Sequence, residues 1–105
     1  MTTETIAGTD IELDDEGFLV DPSQWTEQIA VELARRAGIA PLSERHWQVV
    51  RFMRAEYETK GLGPPVRALA KTSGVSIKEL YDLFPRGPAK TAAMIAGIPK
   101  PRGCI

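Results

Sequence analysis

The sequence predicts a mainly α fold: a compact bundle of about five helices with an N-terminal β-hairpin and an extended mobile C-terminal arm. Three observations predict it. Helix-start and helix-stop residues alternate from Asp21 to Gly97, and apolar residues recur at helical spacing between them. The closing stretch Ile98–Ile105 carries two prolines, which forbid another helix. At 105 residues there is room for one domain with one modest core. Its expected parts are a disordered tip over residues 1–8, hairpin plus bundle over 9–97, and the arm over 98–105.

Taken in order, Ile11-Glu-Leu13 alternates, Asp15-Glu16-Gly17 supplies turn chemistry, and Phe18-Leu19-Val20 returns as a second strand. A lone hairpin is marginal in water, so this one must pack on the helices. Asp21 is an N-cap with Pro22 at the first helical position, and Trp25, Ile29 and Leu33 form one face of a helix ending at Gly38. Ser43 caps a second helix with Trp47, Val50, Met53 and Tyr57 on a stripe, stopped by Gly61. Pro64 and Pro65 introduce a short third helix carrying Val66, Leu69 and Ala70, ending near Gly74. Ser76 with Glu79 three residues on reads as a capping box for a fourth, bearing Ile77, Leu80, Tyr81 and Phe84 and stopped by Pro85. Gly87-Pro88 launches the last helix through Ala92, Ile95 and Ala96 to Gly97.

Composition narrows the function. No apolar run approaches the roughly 20 residues of a membrane span. Met1–Asp10 lacks the basic and apolar regions of a secretory signal, so a cytoplasmic, thiol-reducing setting is expected. Residues 1–34 hold nine acids and no Lys or Arg. Residues 35–105 hold all 13 basic residues against five acids (14 − 9), an excess of +8. Such asymmetry marks either an acidic partner for the basic part or two segments whose fields cancel on folding.

Cys104 is the one cysteine, next to the chain end. A lone cysteine is usually a small buried hydrophobe, but terminal residues are usually exposed, which favours a functional thiol. Pro99 and Pro101 bias the arm to extended geometry, so Gly97 to Cys104 spans on the order of 20 Å. Lys100 and Arg102 favour the thiolate while the terminal carboxylate opposes it, and the sequence leaves the thiol's acidity open. A protease-type cysteine needs a base held beside it, and His46, the one histidine, sits on a helix with nothing tying it to the tail. A swinging thiol suits carriage of a group between other proteins' active sites. One His and one Cys make no zinc site, and Gly61-Leu-Gly63-Pro-Pro has prolines where a phosphate loop needs amide donors, so no metal or cofactor is expected.

Val66–Phe84 resembles a helix-turn-helix, which makes a DNA-binding regulator the rival from another class. Its second helix offers Lys78 but also Glu79 and Asp82, with no Arg, Asn or Gln for base edges. Direct nucleic-acid binding is therefore the weaker expectation.

The segments Leu80–Lys90 and Ile95-Ala-Gly-Ile-Pro-Lys-Pro-Arg-Gly-Cys-Ile105 resemble the signature of the DsrC/TusE family. Asp15–Leu19, Leu42–Trp47, Arg51–Arg54 and Pro65–Leu69 add to the resemblance, which spans nearly the whole chain. It implies a helical bundle with a mobile arm and a sulfur-relay carrier that takes a persulfide sulfur on Cys104. The implied donor is a TusBCD- or DsrEFH-like sulfurtransferase complex. The implied acceptor is a tRNA thiolase making 2-thiouridine or, as the alternative, a sulfite reductase in dissimilatory sulfur metabolism. Two-cysteine family members carry a second thiol eleven residues upstream, where this sequence has Ala93. The chain is thus expected to act as a carrier rather than a stand-alone enzyme. Lys100 and Arg102 would guide the arm into acidic docking sites, and Arg67, Arg86 and Lys90 would line the body surface against which it rests.

Overall fold

A computed structural model describes residues 2–101, so Arg102 and Cys104 lie outside the described residues. Strands β1 (Thr2–Ile6) and β2 (Thr9–Leu13) pair antiparallel, with Thr2 opposite Leu13 and Ile6 opposite Thr9. The expected disordered tip is therefore mostly a strand. Its turn is Ala7-Gly8, both at positive φ (52° and 80°), the two-residue connection that matches strand twist. Ile6, Ile11 and Leu13 are buried together with Leu19, Ile29 and Leu33, which gives the hairpin an apolar face to hold it.

The predicted turn at 15–17 exists, with Asp14 Oδ1 accepting from the Glu16 and Phe18 amides, each at 2.9 Å. The returning strand is reduced to one bridge, Leu13 to Leu19. The first helix also differs from expectation. Asp21 caps only a short 3-10 turn, Pro22–Gln24, and α1 begins afresh at Glu27 and runs to Arg36. Thr26 Oγ1 accepts the Ile29 amide as the true N-cap, which leaves Trp25 extended and outside α1.

Helix α2 (Glu44–Lys60) runs from Ser43 to a left-handed Gly61, as the sequence predicts. Its cap is reciprocal: Ser43 Oγ accepts the His46 amide, and His46 Nδ1 accepts the Ser43 amide at 3.0 Å. An amide can only donate, so His46 carries its proton on Nε2, which donates to Leu83 O at 3.0 Å. Helices α3 (Val66–Ser73) and α4 (Ile77–Leu83) come next, joined through a left-handed Gly74. Ser76 caps α4, but the Glu79 carboxylate turns to Arg45 on α2 instead of closing a box. Leu80 and Phe84 are buried, whereas Ile77 and Tyr81 stand nearly half exposed.

Helix α5 (Pro88–Ile95) is the centre of the bundle, packed against α1, α2, α3 and α4. Ala89, Ala92, Ala93 and Ala96 are fully buried, and small side chains let four helices approach one axis. No helix of the described residues is long and apolar enough to cross a membrane. Ser43→Ala removes the acceptor for the His46 amide. It should cost about 1 kcal/mol in a urea titration, and an unchanged midpoint would show that the cap contributes nothing.

Candidate functional site at the root of the C-terminal arm

The arm begins where α5 ends, and that end is closed completely. Gly97 takes φ 69°. Its amide donates to Met94 O at 3.1 Å, and the Ile98 amide donates to Ala93 O at 3.1 Å. This is the Schellman pattern, with Ile98 buried as its apolar companion. Two side chains from distant parts of the chain take the next carbonyls. Trp25 Nε1 donates to Ile95 O at 2.8 Å, and Arg54 Nη1 donates to Ala96 O at 2.7 Å. Arg54 Nη2 also reaches Pro22 O at 3.4 Å, and the guanidinium carbon lies 4.4 Å from the centre of the Trp25 ring. Burial pushes the Arg54 pKa down, yet a guanidinium stays charged in any protein. Its hydrogen bonds go to carbonyls at the negative end of α5, where a cation is favoured.

From Gly97 to Pro101 the chain stays on the body. Ile98 is fully buried and Pro101 is buried. A Cβ on Gly63 would lie 2.8 Å from Ile98 Cδ1 and 3.5 Å from Pro101 Cγ, so glycine there makes room for the arm. Lys100 Nζ pairs with Glu16 Oε2 at 3.2 Å, and Lys90 Nζ of α5 reaches the same oxygen at 3.2 Å. The two ammonium groups, Lys100 foremost, hold the Glu16 carboxyl below its ordinary range. Beside Lys90 an open groove of about 360 Å³ is lined by Arg36, Ala37, Arg86, Lys90, Thr91 and Met94.

Of the basic residues expected to matter, the structure brings Lys90 and Lys100 together on Glu16 and sets Arg86 on the adjoining groove. Arg67 stands exposed on α3 and is not among the groove's residues. Ala93, the position where the resemblance implied a second thiol in other members, is fully buried in α5. His46 is engaged in the α2 cap and meets the Phe84 ring edge-on at 5.2 Å. Among the described residues no cluster of His, Cys, Asp or Glu could hold a metal. The helix-turn-helix-like unit is tied into the bundle through Leu69, Val75 and Leu80 and through Arg45–Glu79 at 2.7 Å.

Sequence reasoning missed Glu16, Arg54 and the second role of Trp25. The indole N–H of a buried tryptophan usually needs a partner, which is a usable signal. Arg54 follows Met53 in a helix whose other stripe is apolar, and only tertiary contact reveals its target.

A family model described as DsrC like protein matches residues 5–105. The chain is 48% identical to the sulfurtransferase TusE of Escherichia coli, over 93% of this chain and 95% of that one. It is 37% identical to the gamma subunit of the dissimilatory-type sulfite reductase of Nitratidesulfovibrio vulgaris, over the full length of both. Among solved structures it resembles the oxidized gamma subunit of the dissimilatory sulfite reductase (DsrC) of Archaeoglobus fulgidus, with TM-score 0.84 and 37% identity over 99% of this chain and 100% of that one. The solution structure of Allochromatium vinosum DsrC aligns with TM-score 0.85 and 36% identity, over 98% and 97% of the two chains.

The Glu16 clamp has a pH signature. A depressed carboxyl pKa contributes its stabilisation above the unfolded value, about 4.3 for glutamate. That contribution fades as pH falls through the lower folded value. Lys100 and Gly17 resonances tracked by NMR should therefore titrate together with a midpoint below about 4.3, and lose that step in Glu16→Gln. A midpoint at or above the ordinary value would refute the clamp.

Proposed function

The chain belongs to the family of DsrC-like proteins, and we propose that it is a single-thiol sulfur carrier whose Cys104 relays a persulfide sulfur towards a tRNA-thiolating enzyme. The observation that carries the proposal is a lone cysteine three residues past an anchored Pro101. Three residues reach roughly 10 Å at full extension. So short a tether from a seated root supports a thiol that is offered to another protein's active site.

The transfer balances without an added oxidant. The Cys104 thiolate attacks the outer sulfur of a donor protein's persulfide. A new S–S bond forms on Cys104, the donor's S–S bond breaks, and the donor leaves as a thiolate. The carrier then holds Cys104–S–SH, and an acceptor takes the outer sulfur and returns Cys104 as thiolate. Only the thiolate attacks, so the rate rises with its population. Lys100 and Arg102, four and two residues before Cys104 in sequence, carry positive charge that suits docking sites of acidic character, while Arg67, Arg86 and Lys90 offer charge on the body.

Two facts favour the tRNA branch over the sulfite reductase branch. Identity is higher to the relative named sulfurtransferase TusE than to the one named a sulfite reductase subunit. With Ala93 buried where a second thiol would stand, an intramolecular disulfide has no partner. Incubation with a persulfide-bearing sulfurtransferase should raise the mass by one sulfur atom, and Cys104→Ser should abolish the gain. The loaded protein should then support 2-thiouridine formation by a tRNA thiolase. No mass gain, or an equal gain in both proteins, rejects the carrier reading. Salt-sensitive retention of duplex DNA that survives Cys104→Ser would favour the regulator reading instead.

A further inference from the structure

Resting on that reading, we infer that Arg54 and Trp25 are positioning residues for the carrier thiol: together they fix the direction in which the arm leaves the body. A helix end leaves its last carbonyls without intrahelical partners, and water can satisfy them as well as protein can. Here neither Ile95 O nor Ala96 O is left to water. Trp25 takes the first at 2.8 Å and Arg54 the second at 2.7 Å. These bonds join residues 70 and 42 positions apart, so local chain geometry does not produce them.

The two side chains also act on each other. The guanidinium stacks 4.4 Å from the indole centre, and its second nitrogen reaches Pro22 O, the turn that delivers Trp25. A planar fork can stack and donate in two directions at once, which an ammonium cannot. The indole covers Gly97 so closely that a Cβ there would lie 2.9 Å from Trp25 Cγ. Gly97 is the residue at which the backbone turns from helix to arm, and it is pinned on the side where it would pivot. A small rotation at that pivot shifts everything downstream: Ile98 and Pro101 are seated on the body, and the three residues from Pro101 to Cys104 reach at most roughly 10 Å, too little chain to make up for a misdirected root. Displacements of about 1 Å in reacting groups already cost rate heavily.

Both residues bond to the arm's root, so their effect is expected in delivery and not in the reactivity of Cys104. Nitroxides placed on Cys104 and on Val31→Cys, an exposed site of α1, report the arm's direction without any sulfur chemistry. In Arg54→Met the distance distribution should broaden about twofold or shift its mean. Trp25→Phe, which keeps an aromatic face but loses the bond to Ile95 O, should change it less, and Arg54→Lys should recover part of the original width. In the unlabelled variants, alkylation of Cys104 by iodoacetamide should stay within about twofold. Transfer from a saturating protein persulfide donor should fall on the order of tenfold, in kcat more than in KM.

Distance distributions unchanged in both Arg54→Met and Trp25→Phe overturn the inference, whatever the sulfur assays show. Alkylation and transfer falling in parallel also overturn it, because the change would then lie in the thiol or the fold. If the distributions broaden as expected but the unaltered protein accepts no sulfur, the arm's mount stands as described and the carrier reading fails on its own.

Discussion

The carbonyl groups at the end of α5 need partners, and the way they find them shapes the whole molecule. The helix is buried among four others and rich in alanine, so its position is set by close backbone packing. The Schellman pair, the Trp25 indole and the Arg54 guanidinium then occupy its last carbonyls. Each partner comes from a different stretch of chain: the turn after the hairpin, the middle of α2, and the first residues of the arm. The bundle must fold correctly for that junction to form, and the arm inherits a definite origin from it. The arm's root, through Pro101, is thus held against the body.

Charge is organised on the same plan. The acidic first third and the basic remainder neutralise one another across the fold, through Glu4–Arg36 at 2.7 Å, Glu27–Arg51 at 2.7 Å and Glu16 with Lys90 and Lys100 at 3.2 Å. These exposed pairs contribute little stability individually. Their arrangement matters more, because Glu16 holds the arm root and α5 with a single oxygen. Of the two readings of the charge asymmetry, cancellation on folding accounts for these pairs, and Arg86 remains exposed beside the groove.

Much of the fold is legible in the sequence where local chemistry decides structure. Ser43 to Gly61, Ser76 as a cap, and Pro88 to Gly97 all reflect capping and turn residues acting over a few positions. The misplaced hairpin has a specific cause. Asp15-Glu16-Gly17 carries stronger turn signals than Ala7-Gly8, and Thr2–Thr5 shows little hydrophobic alternation, so β1 depends on pairing that only the folded chain supplies. The break at Trp25 is hidden because Asp21-Pro22 is itself a good helix start, whereas in the fold Thr26 caps α1 and Trp25 bonds to the end of α5. Cys104 stands out from position and family motif. Arg54 and Glu16 do not, since an arginine in a helix and an acid in a turn are ordinary until their partners, tens of residues away, are in place.

The most direct test of the carrier account tracks a radiolabelled sulfane sulfur from donor to acceptor in a single turnover. The account predicts that label leaves the donor, appears transiently on this protein as a reductant-sensitive adduct at Cys104, and reaches the acceptor only after that. Label arriving at the acceptor equally fast in the absence of the protein, or passing through it without ever residing on Cys104, would contradict it.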